Sequence, residues 1–121
     1  MLRPPILVLL ACSTLASVAS ADQESRSFPL RALPAEVYGG IFCHDLDGDG
    51  ALDFVVTGPG FIDAYAQDGS HLWTHEADIK LWEFSHHPSA IAADLDGDGA
   101  PEVAYLSEGG EISVLDATTG E

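Results

Sequence analysis

The chain has 121 residues, of which 20 are Asp or Glu and only 4 are Lys or Arg, so its formal net charge at pH 7 is −16. This length allows one ordinary domain at most. The acidic balance excludes nucleic acids and anionic membrane surfaces as partners, because both are bound through clustered Lys and Arg.

Residues 1–21 have the features of a secretory signal peptide. Arg3 supplies the positive start, an apolar stretch follows, and Ala19, Ser20 and Ala21 form a small-residue cleavage pattern. Serines dilute the apolar stretch below what a spanning helix needs, which argues against an uncleaved membrane anchor. We therefore predict a secreted, periplasmic or cell-surface protein, with a lipoprotein acylated at Cys12 as the weaker alternative.

Residues 22–36 are predicted to form a leader without regular structure. Pro29 and Pro34 interrupt this segment, and neither a helical nor a strand period runs through it. We expect it to be flexible or to lie extended against the folded part.

The central feature of the sequence is an acidic loop that occurs twice, at residues 45–53 and 94–102. Both copies have carboxylates at loop positions 1, 3, 5 and 9 and glycines at positions 4 and 6, and the second begins 49 residues after the first. Converging oxygens on a sharply turning backbone suit Ca²⁺, which takes roughly six to eight oxygen ligands. Asp and Gly also form plain solvated turns, but the duplication in register favours the metal.

Each loop therefore predicts one Ca²⁺ site, or about two ions per chain. The ligands in each loop are four carboxylates and the backbone carbonyl oxygen of one alanine. The first set is Asp45, Asp47, Asp49, Asp53 and Ala51, and the second set is Asp94, Asp96, Asp98, Glu102 and Ala100. Glu102 is one methylene longer than Asp53, which predicts a looser or different second site.

The residues after each loop predict strands and not helices. Residues 54–58 and 103–107 are short runs of β-branched and aromatic residues that end at glycine or polar residues. A helix-loop-helix calcium motif also needs Glu at loop position 12, where Val56 and Tyr105 stand. EF-hand and dockerin architectures are therefore disfavoured.

Short strands joined by tight turns predict an all-β fold made of antiparallel four-stranded meanders. The predicted strands are residues 41–44, 54–57, 62–66 and 71–74 in the first copy, and residues 89–93, 103–106 and 112–115 in the second. We define repeat 1 as residues 37–75, a connector as residues 76–89 and repeat 2 as residues 90–121. Repeat 2 is incomplete because it has no counterpart of the strand at residues 71–74.

Residues 44–56 and 92–104 resemble the FG-GAP repeat, also called the VCBS type, of integrin α-subunit propellers and secreted bacterial proteins. Residues 62–73 and 112–121 are similar to the closing strands of quinoprotein-type propeller blades, and the combination resembles bacterial rhamnogalacturonan lyases. The resemblance implies a partial β-propeller of about two blades. It also implies calcium at the carboxylate positions named above.

Two functions from different classes fit these features. The first is an exported calcium-binding repeat segment with a structural, adhesive, or carbohydrate- or protein-binding role, whose partner is an extracellular polysaccharide or a surface protein. The alternative is the N-terminal part of a calcium-dependent polysaccharide lyase of the rhamnogalacturonan type. We predict no catalytic residue, because no Arg or Lys accompanies either loop.

Other candidate residues are interpreted as structural. The five histidines fit no zinc spacing; they are His44, His71, His75, His86 and His87. Trp73 and Trp82 are predicted to pack in the core, with a sugar-stacking platform as the alternative. Cys43 is predicted to be a small buried filler and not a reactive thiol.

A propeller closes only when it has about four or more blades. We therefore expect the sequence to be the N-terminal piece of a longer protein that supplies the remaining blades, or a chain that oligomerises.

Overall fold

The computed structural model describes residues 25–31 and 38–121, and the regular structure in these ranges consists of antiparallel strands. The first sheet has the order β1-β2-β3-β4, and the second sheet has the order β5-β6-β7. The strands are β1 (Gly40–His44), β2 (Asp53–Gly58), β3 (Phe61–Tyr65), β4 (His71–Glu76), β5 (Ala90–Ala93), β6 (Glu102–Leu106) and β7 (Ile112–Asp116). The predicted signal peptide lies outside the described residues.

Tight glycine turns fix the order of the strands. Gly60 and Gly69, at φ +85° and +86°, adopt the left-handed conformation that side chains disfavour, and they turn the chain after β2 and β3. Consecutive strands therefore pair as neighbours, with Phe54 opposite Tyr65 and Ala64 opposite Trp73. This confirms the predicted all-β meander.

The hydrophobic core lies between the two sheets. Its members are Leu46, Val55, Ile62, Ala64, Trp73, Ala77, Ile79, Ala90, Val103, Tyr105, Leu115 and Ala117. Val55 faces the core in β2, whereas its sequence equivalent in β6 is Ala104, and the adjacent Val103 is the residue that packs inward. Side chains alternate between the two faces along a strand, so Val55 and Val103 belong to opposite faces of two equivalent sheets. The front of one sheet therefore packs on the back of the next, and the two sheets stack in the same orientation. We call the face of the second sheet turned away from the core its far face.

The connector between the sheets has no strand in the part that follows Glu76, but it is held to both sheets. Its Ile79 forms a bridge with Ser107, and Ser85 forms a parallel bridge with Tyr38. Ile79 is buried in the core. The described residues contain no helix that is long and apolar enough to cross a membrane.

The two sheets do not close on each other, so the chain forms a partial β-propeller, as predicted. Trp73 is buried as expected, whereas two other predictions were wrong: Cys43 is exposed, and Trp82 is 57% exposed. Cys43 lies on edge strand β1, on the side that the second sheet does not cover. Trp82 lies in the connector, where no sheet face covers it.

Candidate metal sites

The first acidic loop connects β1 to β2 and brings three carboxylates together. Oxygen atoms of Asp45, Asp47 and Asp53 lie within 4.8 Å of one another. Asp45 organises the loop, because its carboxylate accepts hydrogen bonds from the backbone N–H groups of Gly48 (2.8 Å), Asp49 (3.1 Å) and Gly50 (2.9 Å). Three carboxylates held this close repel one another, and a cation of matching size relieves that repulsion.

Asp49 does not belong to this cluster of three. Its Oδ1 atom accepts a hydrogen bond from the backbone N–H of Ala51 at 2.7 Å, and its own N–H donates to Asp47 Oδ1 at 3.0 Å. Asp49 and the Ala51 carbonyl therefore stay predicted ligands, whereas the other three carboxylates converge.

Asp53 is the buried member of the cluster, with 2% of its surface exposed. Burial raises the pKa of its carboxyl group, and the charges of Asp47 and Asp49 act in the same direction. The hydrogen bond from the backbone N–H of Leu46 to Asp53 Oδ2, at 3.0 Å, opposes this shift. A buried carboxylate beside other carboxylates is costly unless a cation compensates it.

The second acidic loop repeats this geometry between β5 and β6. Oxygens of Asp94, Asp96 and Glu102 lie within 4.8 Å of one another. The Asp94 carboxylate accepts from Gly97 N–H at 2.7 Å and from Gly99 N–H at 3.0 Å. The longer Glu102 side chain still reaches the N–H of Leu95, at 2.7 Å, as Asp53 reaches that of Leu46.

Asp98 also follows the first loop, because its Oδ1 accepts from the N–H of Ala100 at 2.8 Å and it lies outside the cluster of three. The Asp98 and Ala100 ligands therefore remain predictions. Among the described residues, no histidine joins a group of three or more metal-ligating side chains.

The two loops differ in how they contact the core. Leu46, at position 2 of the first loop, is fully buried between the sheets, whereas its equivalent Leu95 is 49% exposed. The carbonyl oxygen of Leu46 also accepts a hydrogen bond from Thr118 Oγ1 of repeat 2, at 3.4 Å. The first loop is thus part of the contact between the repeats. The sequence signal for this contact was the leucine at position 2 of both acidic loops, which sequence analysis did not use.

Sequence analysis also missed a buried polar cluster around Asp63. This carboxylate is 1% exposed and accepts hydrogen bonds from Tyr65 Oη and Thr74 Oγ1, and His71 Nε2 lies 3.9 Å from it. Burial raises the pKa of the Tyr65 phenol, and the Asp63 hydrogen bond raises it further. An acidic residue in the apolar run of β3 was the signal for this cluster.

Comparison with known proteins places these features in a family. Residues 45–105 match the family model described as FG-GAP-like repeat. The chain is 31% identical over 81 residues to the rhamnogalacturonan exolyase YesX and 32% identical over 81 residues to the rhamnogalacturonan endolyase YesW, both of Bacillus subtilis (strain 168). Each match covers 54% of this chain but only 13% of the relative. No solved structure matches the chain. The family match covers both acidic loops and half of the sequence, and the chain therefore belongs to the FG-GAP-like repeat family.

Proposed function

We propose that the chain is an exported calcium-binding segment in which one ion at each acidic loop stabilises the stacking of propeller sheets. The supporting observation is the position of Leu46. Its N–H donates to the Asp53 carboxylate of the cluster, and its side chain is buried between the sheets. An ion that fixes Asp53 therefore also fixes an apolar contact that joins the repeats.

The donor set favours Ca²⁺ over other cations. It consists of carboxylate oxygens on a loop that turns at two glycines. Such a set suits the variable coordination geometry of Ca²⁺ better than the strict octahedron of Mg²⁺. Extracellular calcium modules bind with dissociation constants of about 10⁻⁴ to 10⁻³ M. At 10 mM free Ca²⁺, one such site adds about 1.4 to 2.7 kcal/mol to the free energy of unfolding.

A binding role is supported by exposed aromatic side chains in the connector. Trp82 is 57% exposed and Phe84 is 81% exposed. The Nζ atom of Lys80 lies 5.8 Å from the centre of the Trp82 ring, a cation–π contact that helps to hold the exposed ring in place. Such a platform fits the face of a sugar ring or the apolar part of a surface protein.

The second candidate is a part of a polysaccharide lyase, and the two Bacillus relatives favour it. Both relatives are rhamnogalacturonan lyases, and the matched region is 13% of each of them. In that case the two repeats serve as scaffold, and the buried cluster around Asp63 is the candidate for polar chemistry within the described residues.

Calcium titration followed by thermal unfolding tests the leading proposal. We expect the melting temperature to rise with Ca²⁺, to fall with a chelator and to respond weakly to Mg²⁺. Asp45→Asn and Asp94→Asn should each remove one ion in calorimetry, whereas Asp78→Asn, an exposed acid outside both loops, should remove none. A melting temperature that ignores 10 mM Ca²⁺ would contradict the proposal.

Binding to rhamnogalacturonan oligosaccharides separates the two roles. A binding segment should migrate more slowly in a gel that contains rhamnogalacturonan and should not cleave this polysaccharide. Trp82→Ala should weaken this slowing of the protein. Appearance of unsaturated products, which elimination by a lyase leaves at the cleaved bond, would instead support the lyase role.

A further inference from the structure

A cavity of about 260 Å³ lies between the connector and the turns of the two sheets. The first sheet contributes Pro59 and Gly60, which follow β2, and the second sheet contributes Glu108, which follows β6. The acidic loops follow β1 and β5 and therefore lie at the other ends of the strands. Cavities that hold drug-sized ligands measure about 300 to 1,000 Å³, so this one suits a single small ring.

Backbone hydrogen bonds hold the connector side of the cavity to both sheets. The N–H of Ala77 donates to the Gly60 carbonyl oxygen at 3.0 Å, and the N–H of Glu108 donates to the Asp78 carbonyl oxygen at 2.6 Å. The next connector residue, Ile79, forms a bridge with the second sheet and is buried in the core. The cavity is therefore formed before a ligand binds, and a ligand does not have to order its wall.

The polar side chains in the lining offer hydrogen-bond acceptors. Asp78 and Glu108 are carboxylates, and the phenol of Tyr38 donates its proton to Glu83 Oε1 at 2.8 Å. This hydrogen bond raises the pKa of Tyr38, so the phenol stays protonated and its oxygen is left to accept. Among the described residues, no Lys, Arg or His lines the cavity. A matching ligand donates hydrogen bonds and carries no negative charge.

Lys80 lies beside this lining and is already paired. Its Nζ atom lies 2.9 Å from Glu108 Oε2 and 5.8 Å from the centre of the Trp82 ring. An ammonium ligand bound at Glu108 would lie close to the Lys80 ammonium, and the two like charges would repel each other. A hydroxyl donor meets no such repulsion, so the donor that fits best is neutral.

A strained turn presents two aromatic side chains next to the cavity. Leu81 lines the cavity, and the next residue, Trp82, starts a turn in which the N–H of Ser85 donates to the Trp82 carbonyl oxygen at 3.1 Å. Phe84 in this turn has φ +59°, a conformation that a bulky side chain disfavours, and its ring is exposed. An aromatic residue kept at a strained and exposed position points to a role for the ring itself.

We propose that this cavity binds one neutral sugar ring of a polysaccharide, and that Trp82 and Phe84 contact the rings next to it. The inference rests on the binding role proposed above and names its substrate class. A pyranose ring combines hydroxyl donors at its edge with C–H groups on its faces. The hydroxyls match the acceptors of the lining, and the C–H groups match the apolar surface of Ile79 and Leu81.

The charge of the lining selects between kinds of sugar ring. A uronate would place its carboxylate beside Asp78 and Glu108, where like charges repel and no unpaired cation of the lining compensates. In a polysaccharide that contains both kinds of ring, the neutral rings enter the cavity.

Titration of the purified chain with tetrasaccharides in 10 mM Ca²⁺, followed by Trp fluorescence, tests this selection. The neutral probes are galactotetraose, mannotetraose and cellotetraose, the anionic probe is tetragalacturonate, and the cationic probe is tetralysine. We expect at least one neutral probe to bind at least about tenfold more tightly than tetragalacturonate and than tetralysine.

Replacing an acid of the lining tests whether the cavity makes the selection. Asp78→Lys exchanges an acceptor for a cation and should reverse the preference, so that tetragalacturonate binds more tightly than the neutral probes. Glu111→Lys makes the same change of net charge at an exposed acid outside the lining and should leave the preference unchanged.

Phe84→Gly tests the turn, because glycine adopts a positive φ without strain. It should weaken binding of the neutral probe without lowering the midpoint of urea unfolding. Unchanged affinity in this variant would refute the role of the turn.

Three results would overturn the inference: equal affinity for neutral and galacturonate probes, tighter binding of tetralysine, or no binding of any neutral probe. The calcium-dependent melting temperature of the same samples separates this failure from failure of the proposed function. A chain that calcium stabilises and that is slowed by rhamnogalacturonan, but that shows no preference for neutral rings, would keep the proposed function and reject this cavity as the selective site.

Discussion

Shortening Leu46 tests whether the first acidic loop joins the two sheets. Leu46 is fully buried, so Leu46→Ala removes the whole transfer free energy of its side chain and leaves a cavity between the sheets. Substitutions of this kind cost about 2 to 5 kcal/mol. A domain of this size has a total stability of about 5 to 15 kcal/mol, so the variant should stay folded but be strongly destabilised.

Leu95→Ala is the matched control, because it makes the same chemical change at the same position of the second loop. Leu95 is 49% exposed, so about half of its side chain is already in water and its removal leaves no enclosed cavity. We expect a loss of about 1 kcal/mol or less.

Urea unfolding of both variants in 10 mM Ca²⁺, monitored by Trp fluorescence, measures the difference. The midpoint for Leu46→Ala should fall well below that for Leu95→Ala, with similar slopes of free energy against urea. If Leu46→Ala does not fold, Leu46→Val gives the same comparison at a smaller cost. Equal losses at the two positions would refute the argument that the loops differ in their contact with the core.

Three further predictions concern single side chains. Asp53→Asn keeps an acceptor for the N–H of Leu46 but removes a buried charge, so it should remove the first loop's share of the calcium-dependent rise in melting temperature while leaving the chelated protein no less stable than the parent. Gly120→Ala should destabilise the protein by about 1 to 3 kcal/mol more than Gly110→Ala in urea unfolding, because both positions have positive φ but only Gly120 contacts Trp73. Acrylamide should quench Trp82 efficiently and Trp73 poorly, so Trp73→Phe should raise the accessible fraction of the fluorescence; equal accessibility would contradict the burial of Trp73.

Much of the fold could be predicted because local signals and the final pairing agree. Glycine turns after β2 and β3 and the period-2 runs between them specify neighbouring antiparallel strands without any long-range information. The duplication of the acidic loop indicated directly that the chain contains two repeats. Cys43 was predicted wrongly because its burial depends on which face of β1 another sheet covers, and a strand pattern does not state that. Trp82 was predicted wrongly because it lies in the connector, where the sequence pattern does not state whether a sheet covers it.

The candidate site was predictable to the same degree. The spacing of the acidic residues identified the candidate carboxylates, and the oxygens of three of the four in each loop lie close together. The side-chain positions of Asp49 and Asp98 depend on local hydrogen bonds to the backbone, which residue spacing does not specify. The role of Leu46 was not visible because it follows from a contact with repeat 2, 72 residues further along the chain.

The two loops show how one sequence motif acquires two structural roles. Leu46 and Leu95 occupy the same position and each donates its N–H to the last carboxylate of its loop. Only Leu46 is covered by a following sheet, whereas Leu95 stays 49% exposed beside the far face. If another sheet docks on that face, Leu95 should be buried as Leu46 is, and the second loop should then be held by the core. Binding free energies are reciprocal, so docking of that sheet should tighten ion binding at the second loop by the same factor by which the ion strengthens docking.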